Sequence, residues 1–159
     1  MKQEVTMKAD VKSILLAEDN PNDVEMTLNA LTEHNLVNSV VVVSDGAQAL
    51  DYVYRRGPFA ARPSGNPAVI LLDLKMPKVG GLEVLQTIRA DAKLKTIPVV
   101  VMTSSREESD LLKSYALGVN AYVVKPVDFR DFVDAVKLVG AFWALVNEPP
   151  PGSIRTPTA

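Results

Sequence analysis

Cysteine is absent from the 159 residues, so neither a disulfide nor a thiolate takes part in the fold or in any chemistry. That absence fits a cytoplasmic protein. Histidine occurs once, as His34 in "TEHN", where a surface or helix-capping role is expected; a phosphohistidine relay would need a helical hairpin that the chain lacks. Excess positive charge is missing too. The net charge is −2 and the isoelectric point is near 5.4, which argues against nucleic acid or an anionic membrane surface as partner. No apolar run approaches the ~20 residues of a membrane span, and "MKQEVTMKADVK" carries scattered charges rather than a signal-peptide core. The glycines of "GNPAVI" and "VGG" have neither Walker nor dinucleotide spacing.

What is present is ordinary globular composition, 47% hydrophobic and 23% charged, in a length suited to one domain. Residues 1–12 are expected to be a flexible leader, 13–147 the folded domain, and the proline-rich 148–159 a disordered tail. Short apolar runs alternate with amphipathic stretches. "SILLAED" (13–19), "SVVVVSDG" (39–46), "AVILLD" (68–73), "IPVVVMT" (97–103) and "NAYVV" (120–124) read as strands. Helical patterns follow each one, the first opened by Asn20 as cap and Pro21 at the first helical position. The loop at 57–66 is unusually long, and the last helix runs from Asp128 to Asn147. Near-continuous Val, Ile and Leu mean strands buried on both faces. The expected fold is therefore α/β, a doubly wound five-stranded parallel sheet, with function in the crevice beyond the carboxyl ends of its strands.

Those strand ends are unusual. The first run stops at Glu18-Asp19, the third at Asp73, the fourth at Thr103 and the fifth at Lys125-Pro126. Taken singly, each is more often a cap or a turn residue; Ser44-Asp45, ending the second run, need be nothing more than a cap. Arriving together they describe a site. Three carboxylates and one ammonium leave two negative charges, which a divalent cation neutralises. Hard oxygen donors select Mg²⁺ or Mn²⁺. A carboxylate beside such an ion, a lysine and a hydroxyl is suited to accept a phosphoryl group as an acyl phosphate.

With these residues in place, "ILLAEDNP", "VILLDLKMPKVGGLEVL", "IPVVVMTSS" and "AYVVKPV" resemble, in order and spacing, the receiver domain of two-component response regulators. The resemblance implies the flavodoxin-like, CheY-like strand order 2-1-3-4-5. It implies Asp73 as phosphoacceptor, Glu18, Asp19 and Asp73 as metal ligands with the backbone carbonyl of Lys75, Thr103 as switch hydroxyl, Lys125 as phosphate-binding lysine and Tyr122 as aromatic switch. Pro126 would follow a cis bond, and the side chains of Lys75 and Ser105 would flank the line of water attack. The long loop and the helix end resemble single-domain regulators that partner phytochrome-linked histidine kinases, so a bacteriophytochrome kinase is the expected partner. The expected output is protein contact, with a phosphorelay intermediate or phosphate sink as the alternative. Haloacid-dehalogenase-type phosphatase chemistry is disfavoured because Lys75 stands where those enzymes place a second Asp. No turnover enzyme is expected beyond autophosphatase activity.

"LVGAFWALV" (138–146) has no charged residue and is apolar nearly all round. A helix on one side of a sheet buries only a stripe, so Phe142, Trp143 and Leu145 are expected to form a homodimer face. A tail folded back over them is the rival reading.

Overall fold

The structure, a computed structural model, describes residues 10–33, 36 and 39–157. Residues 1–9 of the expected leader lie outside these, and so does His34. In chain order the elements are β1 (Asp10–Lys12), β2 (Ile14–Ala17), α1 (Pro21–Thr32), β3 (Val40–Val43), α2 (Gly46–Tyr54), β4 (Val69–Leu72), α3 (Gly81–Ala90), β5 (Val99–Thr103), α4 (Glu108–Ala116), β6 (Ala121–Val124), α5 (Phe129–Ala141) and β7 (Arg155–Pro157). Five strands form one parallel sheet in the order β3-β2-β4-β5-β6. Counted within that sheet alone, the order is 2-1-3-4-5, as expected.

Alternate residues of each strand feed two separate cores. Leu15, Ile70, Leu72, Val99 and Val101 pack against Val53, Leu85 and Ile88 of α2 and α3. Ile14, Leu16, Val69, Leu71 and Val100 pack against Leu31, Phe132 and Val136 of α1 and α5. Both faces being apolar, polar side chains collect where the strands stop. Helix starts are set by local chemistry. Asn20 Oδ1 accepts from the N–H groups of Asn22 and Asp23 above Pro21, and Asp128 does the same for Arg130 and Asp131. Asp45 accepts from the Gln48 N–H, so the acid ending β3 is a cap. Gly81 lets α3 start close to the site strand, since a Cβ there would lie 2.4 Å from the Asp73 carbonyl oxygen.

Two expectations are corrected. The ends expected to be loose are paired: β1 and β7 form a two-stranded antiparallel ribbon. Beside it Ser13 N–H donates to the Ile154 carbonyl at 3.1 Å and Ile154 N–H to the Asn66 carbonyl at 2.8 Å. Backbone groups make this ribbon, so the composition of the tail does not reveal it. The bond before Pro126 is trans, no cis bond occurring among the described residues; the two isomers of an X-Pro bond differ by only about 1 kcal/mol, and sequence does not choose between them.

The proposed dimer trio is divided. After α5 the chain makes a π-helical turn over Phe142–Val146. Its wider winding brings the consecutive residues Trp143, Ala144 and Leu145 against the core under α5, which a 3.6-residue period cannot do. Phe142 stays 47% exposed, in line with Leu138 and Val146.

Candidate functional site

Backbone ladder bonds fix the site residues although they lie beyond the strands proper. Glu18 N–H donates to the Val43 carbonyl at 3.0 Å, Asp73 N–H to the Ala17 carbonyl at 3.0 Å, and Lys125 N–H to the Thr103 carbonyl at 2.7 Å. Each side chain is therefore aimed by a parallel pair of strands rather than by a free loop. Thr103 is wholly buried; Glu18 and Asp73 are 4% and 7% exposed.

Lys125 Nζ lies 2.5 Å from Glu18 Oε1, 2.8 Å from Asp23 Oδ2 and 3.2 Å from Asp73 Oδ2. Burial alone would lower the pKa of this ammonium, but its bonds to Asp23 and Glu18 outweigh burial and raise it. It stays charged. Glu18 is raised as well, which for a carboxyl favours the neutral form: burial pushes it up to about 7, against the pull of the Lys125 hydrogen bond and helped by the charge on Asp73. Adjacent carboxylates at Glu18 and Asp19 are tolerable because one is buried and the other exposed, and a single ammonium faces the buried one.

One oxygen from each of Glu18, Asp19 and Asp73 lies within 4.8 Å of the others, and no nitrogen or sulfur donor belongs to this group. Such a cluster of carboxylate oxygens suits a hard divalent ion with waters completing its shell. The structure thus brings together Glu18, Asp19, Asp73, Thr103 and Lys125, the five residues read from the strand ends. Tyr122 is half-buried on β6 and donates its hydroxyl to the Ser105 carbonyl at 3.1 Å.

Two acids escaped the sequence reading. Asp23, in the first turn of α1, completes the grip on Lys125. It also changes the charge count: four carboxylates against one ammonium leave −3, and a divalent ion still leaves −1. Its position two residues after Pro21 was the available signal, since the first helical turn sits beside the end of β2. Asp110, 8% exposed in the first turn of α4, accepts from Ser105 Oγ at 2.6 Å. A buried acid there gives no periodic signal distinct from ordinary helix-start acidity.

Known proteins resemble the chain over most of its length. The response regulator receiver domain family matches residues 14–137. The response regulator Rcp1 of Synechocystis sp. is 36% identical over 132 residues, spanning 83% of this chain and 88% of Rcp1. Its Mn²⁺-bound structure superposes with a TM-score of 0.82 at 35% identity, over 87% of this chain and 99% of that one. The phosphorylated cyanobacterial phytochrome response regulator RcpA gives 0.82 at 38% identity, over 88% and 99%. The bacteriophytochrome response regulator RtBRR is 64% identical over 90% of this chain and 86% of its own, with a TM-score of 0.70.

Proposed function

The chain belongs to the response regulator receiver family of two-component systems, and on that premise we propose that Asp73 takes a phosphoryl group from a phytochrome-linked histidine kinase. The observation that carries the assignment is the placing of Asp73 Oδ2 3.2 Å from Lys125 Nζ, in the cluster with Glu18 and Asp19 and beyond the strand that neighbours Thr103. In the transfer an Asp73 oxygen bonds to phosphorus as the P–N bond to the donor imidazole breaks, its electron pair returning to the ring. Lys125, freed in part from Glu18 and Asp73, turns to a phosphoryl oxygen. Thr103 donates its hydroxyl to another. Glu18, Asp19, Asp73 and the Lys75 carbonyl would hold Mg²⁺ or Mn²⁺, which supplies positive charge to the phosphoryl oxygens during transfer.

The signal then leaves through the β5–α4 loop. A Thr103 hydroxyl drawn toward the phosphoryl group no longer stands where the Ser105 N–H reaches it at 3.4 Å, and the Tyr122 hydroxyl is attached to that same residue. Tyr122 turning inward is the expected readout. The partner surface includes the exposed line Leu138, Phe142 and Val146, through which two chains pair about a two-fold axis. Receivers are switches in general, and the reading here is a switch.

Acetyl phosphate with Mg²⁺, followed by intact mass, tests the assignment. One added phosphoryl group is expected in the parent and none in Asp73→Asn. An Asp73→Asn protein that gains the group in similar yield overturns it. Incubation with a purified phytochrome-class kinase tests the partner: phosphoryl transfer within minutes is expected, and transfer only from unrelated kinases overturns that part.

A further inference from the structure

Two loops carry the chemistry, one leaving Asp73 and the other leaving Thr103, and a single carboxylate on α4 touches both. Ser105 Oγ donates to Asp110 Oδ2 at 2.6 Å and accepts from the Glu107 N–H at 3.3 Å. Lys75 Nζ lies 3.9 Å from the same Asp110 oxygen and 3.8 Å from Glu107 Oε1. The Lys75 side chain is 62% exposed while that of Asp110 is 12% exposed. The Glu107 side chain is itself 65% exposed and can move with Lys75, so Asp110 is the one fixed partner and Lys75 the movable group. A first-turn acid placed only to favour the helix dipole would do as well facing water. This one is buried, with its oxygen directed at a residue two beyond Thr103.

We propose that Asp110 is a positioning residue for loss of the phosphoryl group, holding the Lys75 ammonium along α4 and away from Asp73. The proposal rests on Asp73 being the phosphoacceptor. In hydrolysis a water oxygen bonds to phosphorus opposite the Asp73 oxygen. The P–O bond to Asp73 then breaks, its electrons return to the carboxylate, and both water protons leave on H₂PO₄⁻. Water must enter from the open rim, where Lys75 is rooted two residues after Asp73. A dianionic phosphoryl group attracts that ammonium, and a four-carbon stem can reach it once the fixed charge of Asp110 is gone and only the exposed Glu107 remains beside it. Lying across the rim, the ammonium obstructs the water. Asp110 keeps it aside, so the position of α4 sets the lifetime of the signal: a partner that shifts α4 alters how long Asp73 stays phosphorylated.

The test measures decay of protein phosphorylated with acetyl phosphate, after removal of donor, in the parent, Asp110→Asn, Asp110→Ala, Lys75→Ala and the Lys75→Ala/Asp110→Ala pair. Both Asp110 variants should decay at least threefold more slowly than the parent, Asn included because it lacks the fixed charge beside Lys75, the exposed Glu107 being free to follow the lysine. In the Lys75→Ala background the Asp110 substitution should change nothing, an outcome that general loosening of α4 would not produce. Decay of Asp110→Asn at the parental rate overturns the proposal, and so does slowing that persists in the Lys75→Ala background. A parent that takes up no phosphoryl group at all would instead condemn the assignment of Asp73.

Discussion

The two ends of the parallel sheet are built in opposite ways. At the carboxyl ends, Glu18, Asp23 and Asp73 surround one ammonium with side chains mostly removed from water. At the amino ends, the β1–β7 ribbon and the stretch through Asn66 and Ile154 are joined chiefly by backbone groups. A buried cation there, Lys12, donates to the Leu145 carbonyl at 3.2 Å, within the π-helical turn. One end gathers acids whose excess negative charge a divalent cation would offset; the other, joined chiefly by backbone bonds, holds the chain in place. A parallel sheet favours this division, because all its strands deliver their last residues to the same edge.

Lys125→Met should have the largest effect. It leaves three acids facing one another without their cation, and removing one partner of a buried ion pair costs about 3–5 kcal/mol. Chemical denaturation without metal should show a loss of that order at pH 8 and a smaller one at pH 5, where Glu18 takes up a proton. A loss independent of pH would mean that packing, not charge, holds this end together.

Glu18 gives the next largest effect. Its folded-state pKa of about 7 stands above the ordinary 4.5, so the folded chain binds that proton more tightly than the unfolded one. The resulting stability is full below 4.5 and is lost as pH rises through 7. The whole window corresponds to about 3 kcal/mol. The metal-free melting temperature should fall between pH 5 and pH 8, and Glu18→Gln should flatten that fall. Mg²⁺ has to displace the proton below pH 7, so its stabilising effect should be larger at pH 8 than at pH 6. Equal pH slopes in the parent and Glu18→Gln would rule Glu18 out as their source.

Smallest is the change at the opposite end. Ending the chain after Asn147 removes the ribbon, at a cost of roughly 2 kcal/mol from a few net hydrogen bonds. Thermal melts should register it, whereas the rate of Asp73 labelling by acetyl phosphate should stay within about twofold, on the order of 0.4 kcal/mol. A large loss of labelling would show that the two ends of the sheet are not independent.

What sequence made legible follows the same division. Glu18, Asp19, Asp73, Thr103 and Lys125 stood out because each interrupts an apolar run, and the interruptions line up once the strands are parallel. Asp23 and Asp110 did not, because an acid in the first turn of a helix looks the same whether it faces water or a buried neighbour. The ribbon was illegible for another reason: Gly152 and Gly65 turn the backbone with φ of +90° and +111°, and the pairing they permit uses no distinctive side chain. The partial burial of Trp143 and Leu145 was illegible because the winding changes at Phe142, and no residue pattern marks that change.

The antiparallel ribbon sets Asp10 opposite Pro157, and this has a topological consequence. The two ends of the described chain leave the molecule side by side, on the side of the sheet away from Asp73. The domain is therefore a nearly closed ring, in which a short linker could join those ends and new ends could be opened in the loop at 57–66. The two described ends thus lie together, with the acidic edge on the far side. A pair of dyes placed there would report opening of the ring itself and remain silent to events at the acidic edge.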